Sequence, residues 1–201
     1  MTKEKRPHHH GNLREALILT GLELMVEGGP DALSLRKCAA RAGVSHAAPA
    51  HHFKGLGSLE LAIVARGHAM FAEFMIAERG KADDTPHAQL NAICAGYIKF
   101  ACEHSALFKF MFLPREIHPD LFDSTTWEQF TIESSASYQV LRDACLPFEG
   151  GTADGLATEV MVWSLVHGYA MLFSGKTRMA SQDVAIPDFA QILPMLALKA
   201  V

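Results

Sequence analysis

Histidine is the residue type with the widest chemical range in this chain, which carries 11 histidines among 201 residues. Imidazole can bind a metal or transfer a proton near neutral pH. His46 and His51 are five residues apart on a short segment, and no acidic partner accompanies them or His52, which argues against a metal site. His167 lies within an apolar helix, where a hydrogen-bonded core or interface histidine is commoner than a catalytic one. We therefore predict no metal site.

Enzyme motifs are absent from the sequence. It contains no GxSxG, HExxH or GxGxxG motif and no carboxylate pair at a useful spacing, and the loop FEGGTAD at 148–154 lacks the lysine of a phosphate-binding loop. The sequence thus predicts a protein that is not an enzyme and holds no cofactor, with a histidine-based cytosolic enzyme as a minor alternative. Four cysteines form no CxxC pair and are predicted to be buried free thiols on helices, namely Cys38, Cys94, Cys102 and Cys145.

The segment 33–54, LSLRKCAARAGVSHAAPAHHFK, predicts two short helices joined by a tight turn. Its first helix begins at Leu35, with Ser34 as the N-cap, and Gly43 ends it in the left-handed conformation. Ser45 is predicted to cap the second helix, and Pro49 lies at the limit of that helix's first turn. A helix, a turn of about four residues and a second helix is the DNA-binding helix-turn-helix pattern. The alternative is an ordinary corner between two helices.

The same segment resembles the signature of the TetR family of transcriptional regulators. The matching pattern, S-L-R-x-x-A-x-x-A-G-V-S-x-x-A-P-x-x-H-F, runs from Ser34 to Phe53. The resemblance implies a homodimer that binds operator DNA and releases it when a small ligand enters the C-terminal domain. Spacing and resemblance together give these candidate DNA-binding residues: Ser34, Arg36, Lys37, Ser45, His46, Ala47, Pro49, His51, His52 and Lys54. Ala50 and Gly57 depart from the Tyr and Lys that commonly contact phosphate in the family.

Charge is distributed unevenly along the chain. Residues 1–54 contain eight Lys or Arg and five Asp or Glu, which leaves a net charge of −7 on the remainder. A basic end on an acidic body suits a DNA-reading domain attached to a regulatory one. Lys3, Lys5 and Arg6 could form a basic arm along DNA. The polar N-terminus predicts no secretory signal and a cytoplasmic protein.

The sequence predicts an all-α fold of about nine helices. Residues 1–57 are predicted to form a three-helix DNA-binding domain, 58–79 a connecting helix, and 80–201 a helical C-terminal domain for effector binding and dimerisation. The helix at 155–174 is apolar nearly all round and needs cover on both sides. By resemblance, this helix and a helix at 186–199 form a four-helix bundle with a second copy. The tracts at 108–112 and 163–172 also resemble the C-terminal domain of the WHG-type TetR subgroup.

Aromatic residues between 90 and 173 exceed what dimerisation requires. A mostly apolar pocket with a few polar groups is the usual small-molecule site. The candidate effector residues are Tyr97, Phe100, Phe108, Met111, Phe112, Trp127, Phe130, Trp163 and His167. The alternative is that these side chains fill a solid core.

The sequence therefore predicts a ligand-responsive transcriptional repressor that binds a near-palindromic operator as a homodimer and is released by a small apolar effector. The alternative is a helical ligand-binding dimer of the same fold whose DNA binding is weakened at Ala50 and Gly57. No membrane association is predicted.

Overall fold

The computed structural model describes residues 13–113, 115–150, 156–174 and 187–199. Over these ranges the chain forms eight α-helices and no strand, which confirms the predicted all-α class. The helices are α1 Leu13–Gly28, α2 Leu35–Ala42, α3 Leu56–Arg79, α4 Pro86–Glu103, α5 Ser105–Met111, α6 Ser124–Cys145, α7 Ala157–Phe173 and α8 Phe189–Ile192. Single 3-10 turns lie at Pro30–Ala32, Ala48–His51 and Pro119–Leu121. Among these described helices, none combines the length and apolar character needed to cross a bilayer.

The chain divides into two compact units. The first comprises the described residues up to Ala65 together with 115–130, and the second comprises 66–113 and the described residues from Thr131 onward. The predicted boundaries at 57 and 80 differ from this division, because α3 and α6 each contribute to both units. The predicted domains therefore stay a prediction.

The first unit is built on α1, which packs along α2. Leu17 and Met25 of α1 and Cys38 of α2 are fully buried, and Phe53 is 2% exposed. The predicted basic arm lies outside the described residues. The helix predicted to begin at Ser58 begins instead at Leu56.

The second helix of the predicted helix-turn-helix is not an α-helix. After α2 the chain forms one 3-10 turn, Ala48–His51, and no side chain caps it, so the expected Ser45 cap is wrong. Pro49 explains the difference, because it has no N–H to donate and disfavours helical backbone at the residue before it.

The second unit centres on the packing of α4 against α7. Phe100, Phe108 and Val166 are completely buried there. Cys94 and Cys145 are also buried in this unit, and Cys38 is buried in the first, as predicted, but Cys102 is exposed.

The predicted last helix is far shorter than expected. Of the described residues 187–199, only Phe189–Ile192 is α-helical, whereas the sequence predicted helix over 186–199. Pro194 ends the helix, because a proline restricts the residue before it to extended backbone. The chain beyond it pairs with the segment after α6: Glu149 N–H donates to Ala197 O at 3.0 Å, and Lys199 N–H donates to Pro147 O at 3.0 Å. The four-helix dimer bundle predicted from helices 155–174 and 186–199 therefore lacks its second long helix.

Candidate DNA-binding surface and ligand cavity

The start and end of α2 follow from two local signals that the sequence predicted. Ser34 Oγ accepts a hydrogen bond from Lys37 N–H at 3.1 Å, so it satisfies one backbone donor at the helix start. Gly43 has φ +73°, and its N–H bonds back to Ala39 O and Ala40 O. A left-handed residue at this position favours glycine because a Cβ would clash with the backbone. Both predictions are confirmed.

Most of the candidate DNA-binding residues lie at the surface of the first unit. Ser34 and His52 are partly buried and Pro49 is buried, whereas the remaining seven are exposed: Arg36, Lys37, Ser45, His46, Ala47, His51 and Lys54. Pro49 packs inside the unit and therefore shapes the turn rather than offering a surface to a ligand.

Two of the exposed lysines are already engaged. Lys37 Nζ donates to Ala32 O at 3.1 Å, and Lys54 Nζ donates to Asp120 O. Each bond holds the ammonium to the protein backbone, so a phosphate would have to share or replace it. Arg41 is held by both carboxylate oxygens of Glu27 at 2.8 and 2.6 Å.

Arg14 has a structural role that the sequence did not reveal. Its guanidinium donates to Gln129 Oε1 at 2.7 Å and Thr126 Oγ1 at 2.8 Å, and it lies 5.1 Å from the centre of the Phe53 ring. These contacts join α1 to the first turns of α6 within the first unit. Burial lowers the pKa of Arg14, but a guanidinium stays charged in proteins.

A cavity of about 320 Å³ lies in the second unit. Helices α3, α4, α6 and α7 and the residue that follows α5 line it with ten side chains: His68, Phe71, Met75, Tyr97, Phe112, Ser134, Ser137, Tyr138, Leu141 and Trp163. Its size falls in the lower part of the range of small-molecule sites, roughly 300–1,000 Å³.

Three of the nine candidate effector residues line this cavity, namely Tyr97, Phe112 and Trp163. Phe100, Phe108 and Met111 are buried in the surrounding core. Trp127 and Phe130 belong to the other unit, where Phe122 stacks on Trp127 with ring centres 6.2 Å apart. His167 does not line the cavity but contacts the lining residue Phe112, with their ring centres 4.6 Å apart.

Seven lining residues were not predicted, although their spacing carried a signal. Ser134, Ser137, Tyr138 and Leu141 recur at i, i+3, i+4 and i+7 along α6, so they share one helix face. His68, Phe71 and Met75 share a face of α3 in the same way. A face that mixes serine with aromatic residues does not stand out as an apolar stripe.

A hydrogen-bonded pair connects the cavity wall with α7. Tyr97 Oη lies 2.7 Å from His167 Nδ1, within hydrogen-bond distance. The hydroxyl can give its proton to the unprotonated nitrogen of a neutral imidazole. Burial raises the pKa of Tyr97 and lowers the pKa of His167, and both shifts favour the neutral forms. The pair therefore needs no charge at neutral pH.

The pKa of His167 predicts how stability depends on pH. Its folded-state pKa is below the unfolded value of about 6.5, so the unfolded chain binds the proton more readily. The stability that neutral His167 contributes is therefore fully present above about pH 6.5 and is lost as the pH falls towards the folded-state pKa. We expect the free energy of unfolding in urea to decrease between about pH 7.5 and pH 5.5, and to decrease less in His167→Gln. The exposed His46→Gln is the control; equal pH dependence in all three proteins would contradict the assignment.

One face of α7 is apolar and exposed. Val160 is 51% exposed and Met171 37% on the same side of the helix, and Leu172, which is 49% exposed, lies towards the edge of that side. A Cβ added to Gly168 would meet no atom within 4 Å. An exposed apolar stripe of this kind is typical of a surface that another protein covers.

Residues 90–189 match the family described as tetracyclin repressor-like, C-terminal domain. No curated protein sequence matches the chain.

The fold is similar to that of several solved structures. A protein of unknown function from Rhodococcus sp. RHA1 is 24% identical, with a TM-score of 0.70 over 94% of this chain and 93% of the other. The TetR family transcriptional regulator PfmR from Thermus thermophilus is 19% identical, with a TM-score of 0.52 over 80% and 85%. A TetR-like transcriptional regulator from Rhodococcus sp. RHA1 is 15% identical, with a TM-score of 0.55 over 94% and 93%. At these identities the likeness shows the fold.

Proposed function

Because residues 90–189 of this chain belong to the tetracyclin repressor-like C-terminal domain family, we propose that it is a ligand-responsive transcriptional regulator that binds operator DNA in the cytoplasm. The family match confirms the TetR resemblance and is the observation that carries the proposal, whereas the WHG-type subgroup stays a prediction. The capped α2, the left-handed Gly43 and the exposed Arg36, Ser45 and His51 support DNA binding. The cavity in the second unit supports a small effector.

The proposed mechanism is repression relieved by the effector. Two copies place their α2 and 3-10 turn segments on successive half-sites of a near-palindrome. The effector binds better to a conformation that fits DNA poorly, so it shifts the population away from the operator-bound state. The candidate DNA-binding residues and the dimer belong to this proposal.

A gel-shift assay on DNA from upstream of the gene tests the proposal. We expect a retarded band that weakens as the salt concentration rises, because phosphate contacts release counterions. Arg36→Ala should weaken the band, whereas Lys81→Ala, an exposed lysine of the second unit, should not. No retarded band at low salt would overturn DNA binding.

A dimer with weakened DNA affinity is the second candidate, favoured by a specific observation. The segment that should read base edges is a single 3-10 turn, and Lys37 and Lys54 are bonded to backbone carbonyls. Ala50 and Gly57 also stand where the family commonly has Tyr and Lys. A large gain in retardation from Ala50→Tyr with Gly57→Lys would favour this candidate, and a small gain would favour the first.

The exposed face of α7 predicts where the two copies meet. In a homodimer formed through this face, Val160→Glu would bury a carboxylate without a partner. We expect dimerisation to weaken by at least about tenfold, measured by sedimentation or by light scattering after gel filtration. Ile132→Glu is the matched control, because Ile132 is 56% exposed on α6 and lies off this face. If both variants remain dimers at the protein concentration at which the wild type is a dimer, the two copies meet elsewhere.

A further inference from the structure

The charge of the cavity wall restricts the ligand that can occupy it. Among the described residues, no Asp, Glu, Lys or Arg lines the cavity. A charged ligand group would be removed from water there without a counter-charge, which is strongly unfavourable. By contrast, Lys99 and Asp188 both line a second cavity of about 540 Å³ in the same unit. The first cavity is therefore selective for an uncharged molecule.

The shape of the wall favours a ring. Five aromatic side chains line the cavity: Phe71, Tyr97, Phe112, Tyr138 and Trp163. The Phe71 and Tyr97 rings meet edge to face with centres 4.5 Å apart, and the Tyr138 and Trp163 rings do so at 5.7 Å. This wall presents both ring faces and ring edges to a planar aromatic ligand. Such a ligand can stack on the faces or contact the edges, and both arrangements are favourable. An alkyl chain would gain only contact area from it.

Polar groups lie on the α3 and α6 side of the cavity. His68 Nδ1 lies 2.8 Å from Ser137 Oγ, and Ser137 Oγ donates to Ser134 O at 3.0 Å. Since the one serine proton is used in that bond, Ser137 Oγ accepts from His68 Nδ1–H. Ser134 and Tyr138 line the same side, and the Ser134 hydroxyl donates to Thr131 O at 3.4 Å. These groups suit a ligand with a hydroxyl or carbonyl substituent.

We infer that the effector is an uncharged, planar aromatic compound of one or two rings that carries a hydroxyl or carbonyl group. That the ligand acts as an effector rests on the proposed function, whereas its binding rests on the cavity alone. The ring lies between the walls from α3, α4 and α7, and its polar group faces the histidine and serines.

Calorimetric titration with three probes near neutral pH tests the inference. The probes are naphthol, which is neutral and aromatic; naphthoate, which has the same rings and a negative charge; and octanol, which is neutral and aliphatic. We expect naphthol to bind, and naphthoate and octanol to bind at least about tenfold more weakly. Equal or tighter binding of either of the other probes, or no binding of naphthol, would overturn the ligand class.

A pair of variants locates the bound probe. Ser134→Phe places a ring inside the cavity and should abolish naphthol binding, whereas Ser135→Phe places the same ring on the exposed neighbouring position and should not. Circular dichroism establishes that both variants are folded. Naphthol binding that survives in Ser134→Phe would place the ligand elsewhere and overturn the assignment.

A gel shift without ligand separates this inference from the proposed function. DNA retardation together with no naphthol binding would overturn the ligand class alone. Naphthol binding together with no DNA retardation would overturn the proposed function as a DNA-binding regulator but would still support the inferred ligand class.

Discussion

Replacing Phe108 with alanine should destabilise the protein by about 3–5 kcal/mol, because it leaves a cavity in a closed aromatic core. The Phe108 side chain is completely buried. Its ring centre lies 5.1 Å from that of Phe112, 5.5 Å from His167 and 5.8 Å from Tyr97. Alanine would remove all of these ring contacts, and the surrounding helices can close the space only in part.

Urea denaturation followed by circular dichroism measures this effect. Tyr138→Ala is the control, since Tyr138 lines the ligand cavity and is 37% exposed. It should cost far less stability than Phe108→Ala. The sequence placed Phe108 among residues that contact an effector, and the two interpretations predict opposite results. A folded Phe108→Ala protein of wild-type stability that has lost ligand binding would show that Phe108 faces the ligand.

Gly96→Ala is expected to destabilise by about 2–4 kcal/mol, although alanine is the better helix former. A Cβ at position 96 would lie 2.6 Å from Phe74 O and 2.7 Å from Met75 Cα. Both atoms belong to the backbone of α3, so no side-chain rotation can make room. The two helices would have to move apart at this contact.

Thermal and urea unfolding of Gly96→Ala should be compared with those of Gly57→Ala. At Gly57 the nearest atom to an added Cβ is a ring carbon of Phe122 at 3.8 Å, which is an ordinary contact. Alanine there should leave stability unchanged or raise it by up to about 1 kcal/mol. Equal effects of the two substitutions would mean that α3 and α4 do not approach closely at Gly96.

Helix boundaries that depend on neighbouring residues in the chain could be predicted from the sequence. Ser34 and Gly43 specify where α2 begins and ends, because one provides an acceptor for a free N–H and the other tolerates positive φ. Two prolines act just as locally, but their effects were underestimated. Pro49 limits the second helix to one 3-10 turn, and Pro194 ends α8 after four residues.

The cavity could be predicted only in part, because it depends on how four helices pack. Periodicity identified Tyr97 and Trp163 as aromatic residues on apolar helices but could not show which rings leave space and which fill it. Phe100 and Phe108 are aromatic residues at helical spacing, as the lining residues are, yet both are completely buried in the core. Ser134 and Ser137 read as surface serines until α3 brings His68 within 2.8 Å of Ser137.

The uneven exposure of the cysteines gives the protein a built-in chemical label. Cys102 is the exposed thiol, whereas Cys38, Cys94 and Cys145 are buried. Burial raises the pKa of all four thiols, that of Cys94 to about 12 and that of Cys145 to about 11, so exposure is what distinguishes Cys102. Thiolate is the reactive form, so an alkylating reagent should modify the native chain once and the unfolded chain four times. The number of adducts seen by mass spectrometry would then report the folded fraction of every variant without a fluorophore or an added tag.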